Sequence, residues 1–278
     1  MSSLSVRVPA SSANLGPGFD TLGMALSLYL EMGTVDGSPL PERAKVVDSS
    51  HPAFVAFRHV GGSGEVWVRS SIPMGRGLGF SGAARVAGVV LAHAQRNGSD
   101  SLVRDRKELL HLATELEGHP DNVGASLVGG VTASSGGEVA RLPLGFDPAF
   151  IAWVPEFQTS TEKSRTAIPA SIPLPDVVFN IGHTALLMAA FAAGDIAVLR
   201  EATKDRMHQD VRFAAAPHSF EAFNAALATK AWCAWLSGSG PTVGVLCAKD
   251  DAANIAKALP ATGITHVLDI DRDGAVFL

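Results

Sequence analysis

The chain has 278 residues, 47% hydrophobic and 18% charged, with a formal net charge of −5. That balance excludes a disordered polypeptide and leaves room for one large or two ordinary domains around a sizeable core. With net negative charge and no lysine or arginine block, nucleic acid is not expected as a partner.

Cys233 and Cys247 lie in apolar runs without C-x-x-C spacing, which suits buried thiols in a reducing cytoplasm. Nine histidines form no zinc-type grouping. The longest apolar run, residues 185–193, is nine long. That falls short of the ~20 that span a bilayer, and residues 1–7 lack a signal-peptide core, so no membrane partner is expected.

Leu4, Val6 and Val8 alternate with polar residues, predicting a first strand that ends at Pro9. A small-residue loop follows over 9–23, with Asn14 and Asp20 as its strong polar groups. Both residue types cap turns, but Asp20 between Phe19 and Leu22 is a carboxylate in apolar company, which calls for a partner or a ligand. Residues 24–60 read as further strand and loop.

Val66, Trp67, Val68 and Ile72 predict a half-buried strand over 65–72. After it, Ala83, Val86, Ala87, Val90, Leu91 and Ala94 recur at helical spacing up to Asn97-Gly98. Between them Gly75, Gly77, Gly79 and Gly82 make a turn that opens a helix, the arrangement that aims backbone N–H groups and the positive helix end at a phosphate. A tight turn needing only glycine's positive φ is the plainer alternative. Residues 77–82 satisfy G-x-G-x-x-G, but the strand ends four residues too early and no acidic residue closes a second strand. No lysine follows to make a Walker loop, and protein-kinase motifs are absent.

Residues 105–118 read as a helix closed by Gly118. Glu108, His111 and Glu115 share its solvated face, whereas Glu117 shares a face with Leu110 and Ala113. A carboxylate there needs a cation, so Glu117 is the candidate Mg²⁺ ligand, with a salt bridge to an arginine as the alternative. Strands are expected at 129–132 and 150–155, with a hairpin turn at 134–137. A polar loop and helix start cover 159–165, and helices cover 183–193 and 195–204, broken at Gly194. Arg206 and Arg212 follow. Residues 235–246 form a second glycine-serine turn entering an apolar strand, then come a helix over 250–259 and a strand over 266–270. Such interleaving predicts mixed α and β layers, with a ligand between the halves touching both glycine turns.

Taken in order, the loop over 9–23, the loop over 73–84, the run Glu115 to Gly130 and the turn Ser237 to Thr242 resemble the GHMP small-molecule kinases over essentially the whole chain. The resemblance implies an α+β, two-domain fold: a ribosomal S5 domain 2-like, ATP-binding domain over 1–147 and a ferredoxin-like domain over 148–278. It implies a cytoplasmic enzyme that phosphorylates the side-chain hydroxyl of L-homoserine with ATP and Mg²⁺, a step towards threonine. The sequence leaves its oligomeric state open, a homodimer among the possibilities. Pro73, Gly75, Arg76, Gly77, Leu78, Gly79, Phe80, Ser81, Gly82 and Ala83 would hold the ATP phosphates, and Ser81 and Glu117 the metal. Arg165 and Arg212 would clamp the substrate carboxylate and Asp20 its ammonium, with Asn14 and Asn122 orienting hydroxyl and phosphate. Thr161 and Gly240 would line the pocket.

Asn122, Asn14 and Arg212 are thus the expected catalytic set, and because an amide cannot act as a base, catalysis rests on positioning and charge neutralisation. Two residues depart from the family pattern: Phe80 stands where a loop serine is usual, and Gly82 where alanine is. Another GHMP kinase acting on a different small alcohol, or a non-catalytic ligand-binding homologue, are the alternatives this leaves open.

Overall fold

The computed structural model describes residues 4–157 and 161–278. Strand β1 (Ser5–Ala13) does not stop at Pro9 as the sequence suggests. Its register with β2 (Leu22–Thr34) slips between Pro9 and Ala10, a bulge that absorbs the proline's missing N–H and carries the strand on to Ala13. The long β2 is shared. Its far half pairs with β4 (Val66–Ser70), itself edged by β3 (Lys45–Val47), and its first residues pair with β5 (Val131–Ser135) of the β5–β6 (Glu138–Leu142) hairpin. The 136–137 glycines close that hairpin, as expected.

Helices α1 (Pro52–His59) and α2 (Phe80–Asn97) pack together beside this sheet, followed by α3 (Ser101–Arg104), α4 (Arg106–Glu117) and α5 (Pro120–Val128). Helix α1 lies in a stretch read as strand and loop. The signal was present, since His51 caps the Ala53 amide, Pro52 occupies the first turn, and Ala53, Ala56 and Phe57 face inward at helical spacing. Val6, Val8, Leu22, Leu30, Phe57, Val86 and Leu91 are among the fully or almost fully buried residues of this core. Each large apolar side chain so buried is worth ~1.5–3 kcal/mol.

Strand β7 (Ala149–Pro155), buried along its whole length, begins a second sheet. With β8 (Cys233–Leu236), β9 (Val243–Cys247) and β10 (Gly263–Leu268) it makes an all-antiparallel sheet in the order β10-β7-β9-β8. Helices α6 (Thr161–Thr166), α7 (Leu174–Ala193), α8 (Leu199–Ala202), α9 (Gln209–Ala214) and α10 (Pro217–Leu227) lie between β7 and β8, and α11 (Lys249–Ala258) between β9 and β10. This is the ferredoxin-like order. The last strand starts three residues earlier than the 266–270 expected; Ile270 leaves it to bridge Leu26 of β2, and β11 (Val276–Phe277) returns to β1, so the chain end ties the two sheets together.

Helix α7 begins nine residues before the predicted start, its apolar run being only its last part. By length and composition it is apolar enough to cross a membrane, with a mean hydropathy of 1.4 over its best window. Asn180, Leu187, Ala190 and Phe191 face the protein, while Leu174, Val178 and Ile181 are exposed.

Candidate active site

The strand β4 feeds a turn in which Gly75, Gly77 and Gly79 take φ of 65°, 76° and 67°. These left-handed values suit glycine, and at Gly79 a Cβ would also stand 2.1 Å from Ser11 Oγ. Gly79 opens α2 with no side chain capping the start, so amides of the first turn remain available to a ligand. They border a cavity that is open to solvent.

Gly75, Arg76, Gly77, Gly79, Phe80 and Ser81 line that cavity, whereas Pro73, Leu78, Gly82 and Ala83 are not in its wall. The expectation for Ala83 needs correction: its amide is spent on the Gly79 carbonyl at 2.9 Å, inside the helix. Leu78 is fully buried and serves as the loop's apolar anchor, its carbonyl accepting from the Ser11 amide at 3.2 Å. Arg76 reaches across to the Pro155 carbonyl of β7, fastening the loop to the second sheet.

At the far wall Ser81 Oγ donates to Glu117 Oε2 at 2.8 Å, and Arg85 Nε meets the same oxygen at 2.6 Å. Glu117 is therefore ion-paired with an arginine, the alternative left open by the sequence. Its side chain is 9% exposed, and burial raises its pKa although Ser81, Arg85 and His119 all oppose the shift. Glu115, two residues earlier, is exposed.

Gly118 ends α4 in the left-handed conformation and Pro120 starts α5, a helix the sequence reading missed. The sharp corner turns His119 and Asn122 into the cavity. His119 Nδ1 sits 2.8 Å from Asp121 Oδ1. Burial works to lower the His119 pKa, but the hydrogen bond and charge of Asp121, with Glu117 and Asp20 beyond, outweigh it and leave it raised. Ser11 Oγ donates to Asn122 Oδ1 at 2.9 Å, which fixes the amide's orientation. Gly82 lies against it: an alanine Cβ there would stand 3.0 Å from Asn122 Cβ.

The second glycine turn closes the cavity from the other half of the chain. Ser237 Oγ donates to the Gly77 carbonyl at 2.6 Å, and Gly238, Ser239 and Gly240 join the lining. The Gly238 carbonyl accepts from both Asn14 Nδ2 and Arg212 Nη1, each at 3.0 Å. Asn14 Oδ1 in turn accepts from the Asp20 amide at 3.0 Å. Asn14 and Asp20 have φ of 69° and 55°, conformations that cost ~1–3 kcal/mol outside glycine and gather at functional sites.

Arg165 and Arg212 both lie over the Phe19 ring, 5.4 and 5.3 Å from its centroid. Arg165 makes a two-pronged ion pair with Asp20, so these two residues hold each other. Arg212 is 5% exposed, and burial, together with the like charge of Arg165, lowers its pKa to about 10. It therefore stays charged at neutral pH. Thr161 begins α6, and its side chain lies outside the described residues.

The sequence reading did not single out His119, Ser239 or Arg85. Pro120 at a helix start was the one available cue for His119, because it makes the preceding residue the cap. Among the described residues no cluster of three or more His, Cys, Asp or Glu side chains could hold a metal.

The family pattern described as GHMP kinases N terminal domain matches residues 48–130, and that described as GHMP kinases C terminal matches 187–265. A protein of Desulfitobacterium hafniense named homoserine kinase is 37% identical, covering 98% of this chain and 99% of its own. The homoserine kinase of Moorella thermoacetica is 40% identical over 87% of this chain and 86% of its own. Among solved structures, homoserine kinase from Cytophaga hutchinsonii superposes with a TM-score of 0.84 at 23% identity, covering 100% of this chain and 98% of that one. Mevalonate diphosphate decarboxylase from Staphylococcus aureus superposes at 0.70 with 15% identity, over 99% and 98% of the two chains; these two structures share the fold.

Proposed function

Since the chain belongs to the GHMP kinases, within their homoserine kinase branch, we propose that it transfers the γ-phosphoryl group of ATP to the side-chain hydroxyl of L-homoserine. The observation that carries this reading is the Gly238 carbonyl. It ties Asn14 and Arg212 to the wall of the same cavity that the Gly75–Ser81 loop borders. A phosphate held at the start of α2 and an amino-acid carboxylate held at Arg212 then lie within one site.

The loop amides and the start of α2 bind the phosphates of ATP. Arg212 and Arg165 grip the substrate carboxylate and Asp20 takes its ammonium. Asn14 and Asn122 orient the hydroxyl, and Thr161 and Gly240 border the pocket. Asn122 has no basicity, so acceleration comes from alignment and from stabilising charge on the transferring group. His119 borders the same cavity, its Nδ1 held by Asp121.

Ser81 Oγ and the Glu117 carboxylate, hard oxygen donors at the cavity wall, would hold Mg²⁺ once Arg85 gives up its pairing with Glu117 Oε2. A bound ion would supply neutralisation of the phosphate charge. The reading extends to a cytoplasmic step towards threonine.

ADP release measured against L-homoserine, D-homoserine, L-serine, L-threonine and mevalonate tests it. L-Homoserine is expected to give the highest kcat/KM. Preference for another alcohol, or no ADP release with any, overturns it.

A further inference from the structure

Arg212 is held from behind by a buried histidine, His208. His208 caps the start of α9, and Arg212 follows one turn later on the same face. The His208 side chain is fully buried. Its Nε2 lies 2.7 Å from the Gly16 carbonyl, and its Nδ1 lies 3.1 Å from Arg212 Nη1.

Those two contacts leave a single protonation state. A carbonyl only accepts, so Nε2 must carry the hydrogen; a guanidinium only donates, so Nδ1 must be bare. An imidazolium, or the other neutral tautomer, would set N–H against N–H at Arg212. Burial also lowers the His208 pKa, and of the charged groups facing it Asp205 and Asp20 oppose while Arg212 adds to the lowering.

The surroundings fix the ring's place. Asp205 accepts from the His208 and Gln209 amides at 2.8 and 2.7 Å and from Asn180 Nδ2 at 2.6 Å, which pins the start of α9 to α7. Asn180 Nδ2 is also 3.2 Å from the Pro17 carbonyl, one residue beyond the carbonyl that His208 holds. Phe19 packs at a tilt against His208 and lies under the Arg212 guanidinium, and Arg212 Nε is buried without a partner. The guanidinium is thus fixed at Nη1 on two acceptors and keeps donor capacity elsewhere.

We propose that His208 is a positioning residue for the reaction proposed above: its neutral Nε2–H form presets the Arg212 guanidinium for the substrate carboxylate. The inference rests on that reading of Arg212. It predicts that the effect of changing His208 falls on homoserine and not on ATP, which a merely space-filling histidine would not show.

Kinetics of His208→Leu and His208→Asn test it. The first removes the acceptor facing Arg212; the second keeps an oxygen near the place of Nδ1. His208→Leu should raise the homoserine KM roughly 10- to 100-fold, with ATP KM within about twofold of the unmodified protein, and His208→Asn should recover most of the loss. Equal changes in both KM values, or an unchanged homoserine KM in His208→Leu, overturn the inference while the function stands. Failure of the unmodified protein to phosphorylate homoserine overturns the function and this inference with it. Should neither variant fold, long-range ¹H–¹⁵N spectra of the unmodified protein with ring-labelled histidine decide. The Nε2–H tautomer of His208 is expected, and an Nδ1–H tautomer or an imidazolium overturns the proposal.

Discussion

Arg165 donates from Nη1 and Nη2 to the two carboxylate oxygens of Asp20, at 2.7 and 2.8 Å. The two side chains expected to take opposite ends of an amino acid satisfy each other before any ligand arrives. A zwitterion can replace both halves of that pair at once, an ammonium for Asp20 and a carboxylate for Arg165. A ligand with one charge leaves the other ion alone. The pair is also solvent-facing, at 42% and 31% side-chain exposure, where such bridges add at most ~1 kcal/mol to stability. Asp20→Ala and Arg165→Ala should therefore lower Tm by no more than about 2–4 °C while raising the homoserine KM roughly 10- to 100-fold. Calorimetry beside steady-state kinetics checks this, and a large Tm loss with unchanged KM would make the pair structural.

Glu117 and Glu115 are two residues apart on α4 but differ in environment. Only Glu117 meets Ser81 and Arg85 at the cavity wall. Glu117→Gln keeps the shape and removes the charge, so turnover at saturating MgATP should fall by roughly 10²-fold, with a higher Mg²⁺ requirement. Glu115→Gln should retain most activity. The opposite ranking in an Mg²⁺ titration would move the metal from Glu117 to Glu115.

Phe80 lines the cavity at the first position of α2, with its ring edge-on to His51 at 5.8 Å. A serine there would free space and add a hydroxyl beside the loop amides. Phe80→Ser should lower the ATP KM by roughly 3- to 10-fold and leave the homoserine KM alone, while the lost half-buried ring lowers stability by about 1–2 kcal/mol. A higher ATP KM in the variant would show that the ring contributes to nucleotide binding.

Burial pushes the Cys233 thiol up to about 12 and the Cys247 thiol up to about 11. Because both folded values lie above the ~8.5 of an exposed thiol, the folded state favours the protonated form. Their contribution is complete below ~8.5 and is lost as pH rises through about 11 and then 12. Iodoacetamide at pH 8 should leave the folded protein unmodified and label both cysteines once it is unfolded, read by intact mass. Denaturant midpoints should decline on the alkaline side of pH 9. Rapid labelling of either thiol in the folded state would contradict its burial.

Much of the site was legible in the residues because its parts are local. Three glycines in left-handed conformations, a helix after them and an inward Glu117 follow from spacing and backbone sterics within single turns. The helix itself opens at Phe80, three residues before its apolar spacing begins at Ala83. The helices α1 and α5 were equally local; their proline starts and inward spacing were present but were outweighed by flanking turn residues. The continuation of β1 past Pro9 was not local, since it depends on a bulge against β2.

Sequence alone determined which residue types carry the chemistry and that two glycine turns frame it, because turn and helix preferences are set by neighbours in the chain. Tertiary structure decided who is paired with whom: Asp20 with Arg165, Glu117 with Arg85, His208 with Arg212, and both Asn14 and Arg212 with one carbonyl of Gly238. Apart from the one-turn step from His208 to Arg212, those partners lie 26 to 224 residues apart. Their meeting depends on how two sheets and their helices pack, which no local preference encodes.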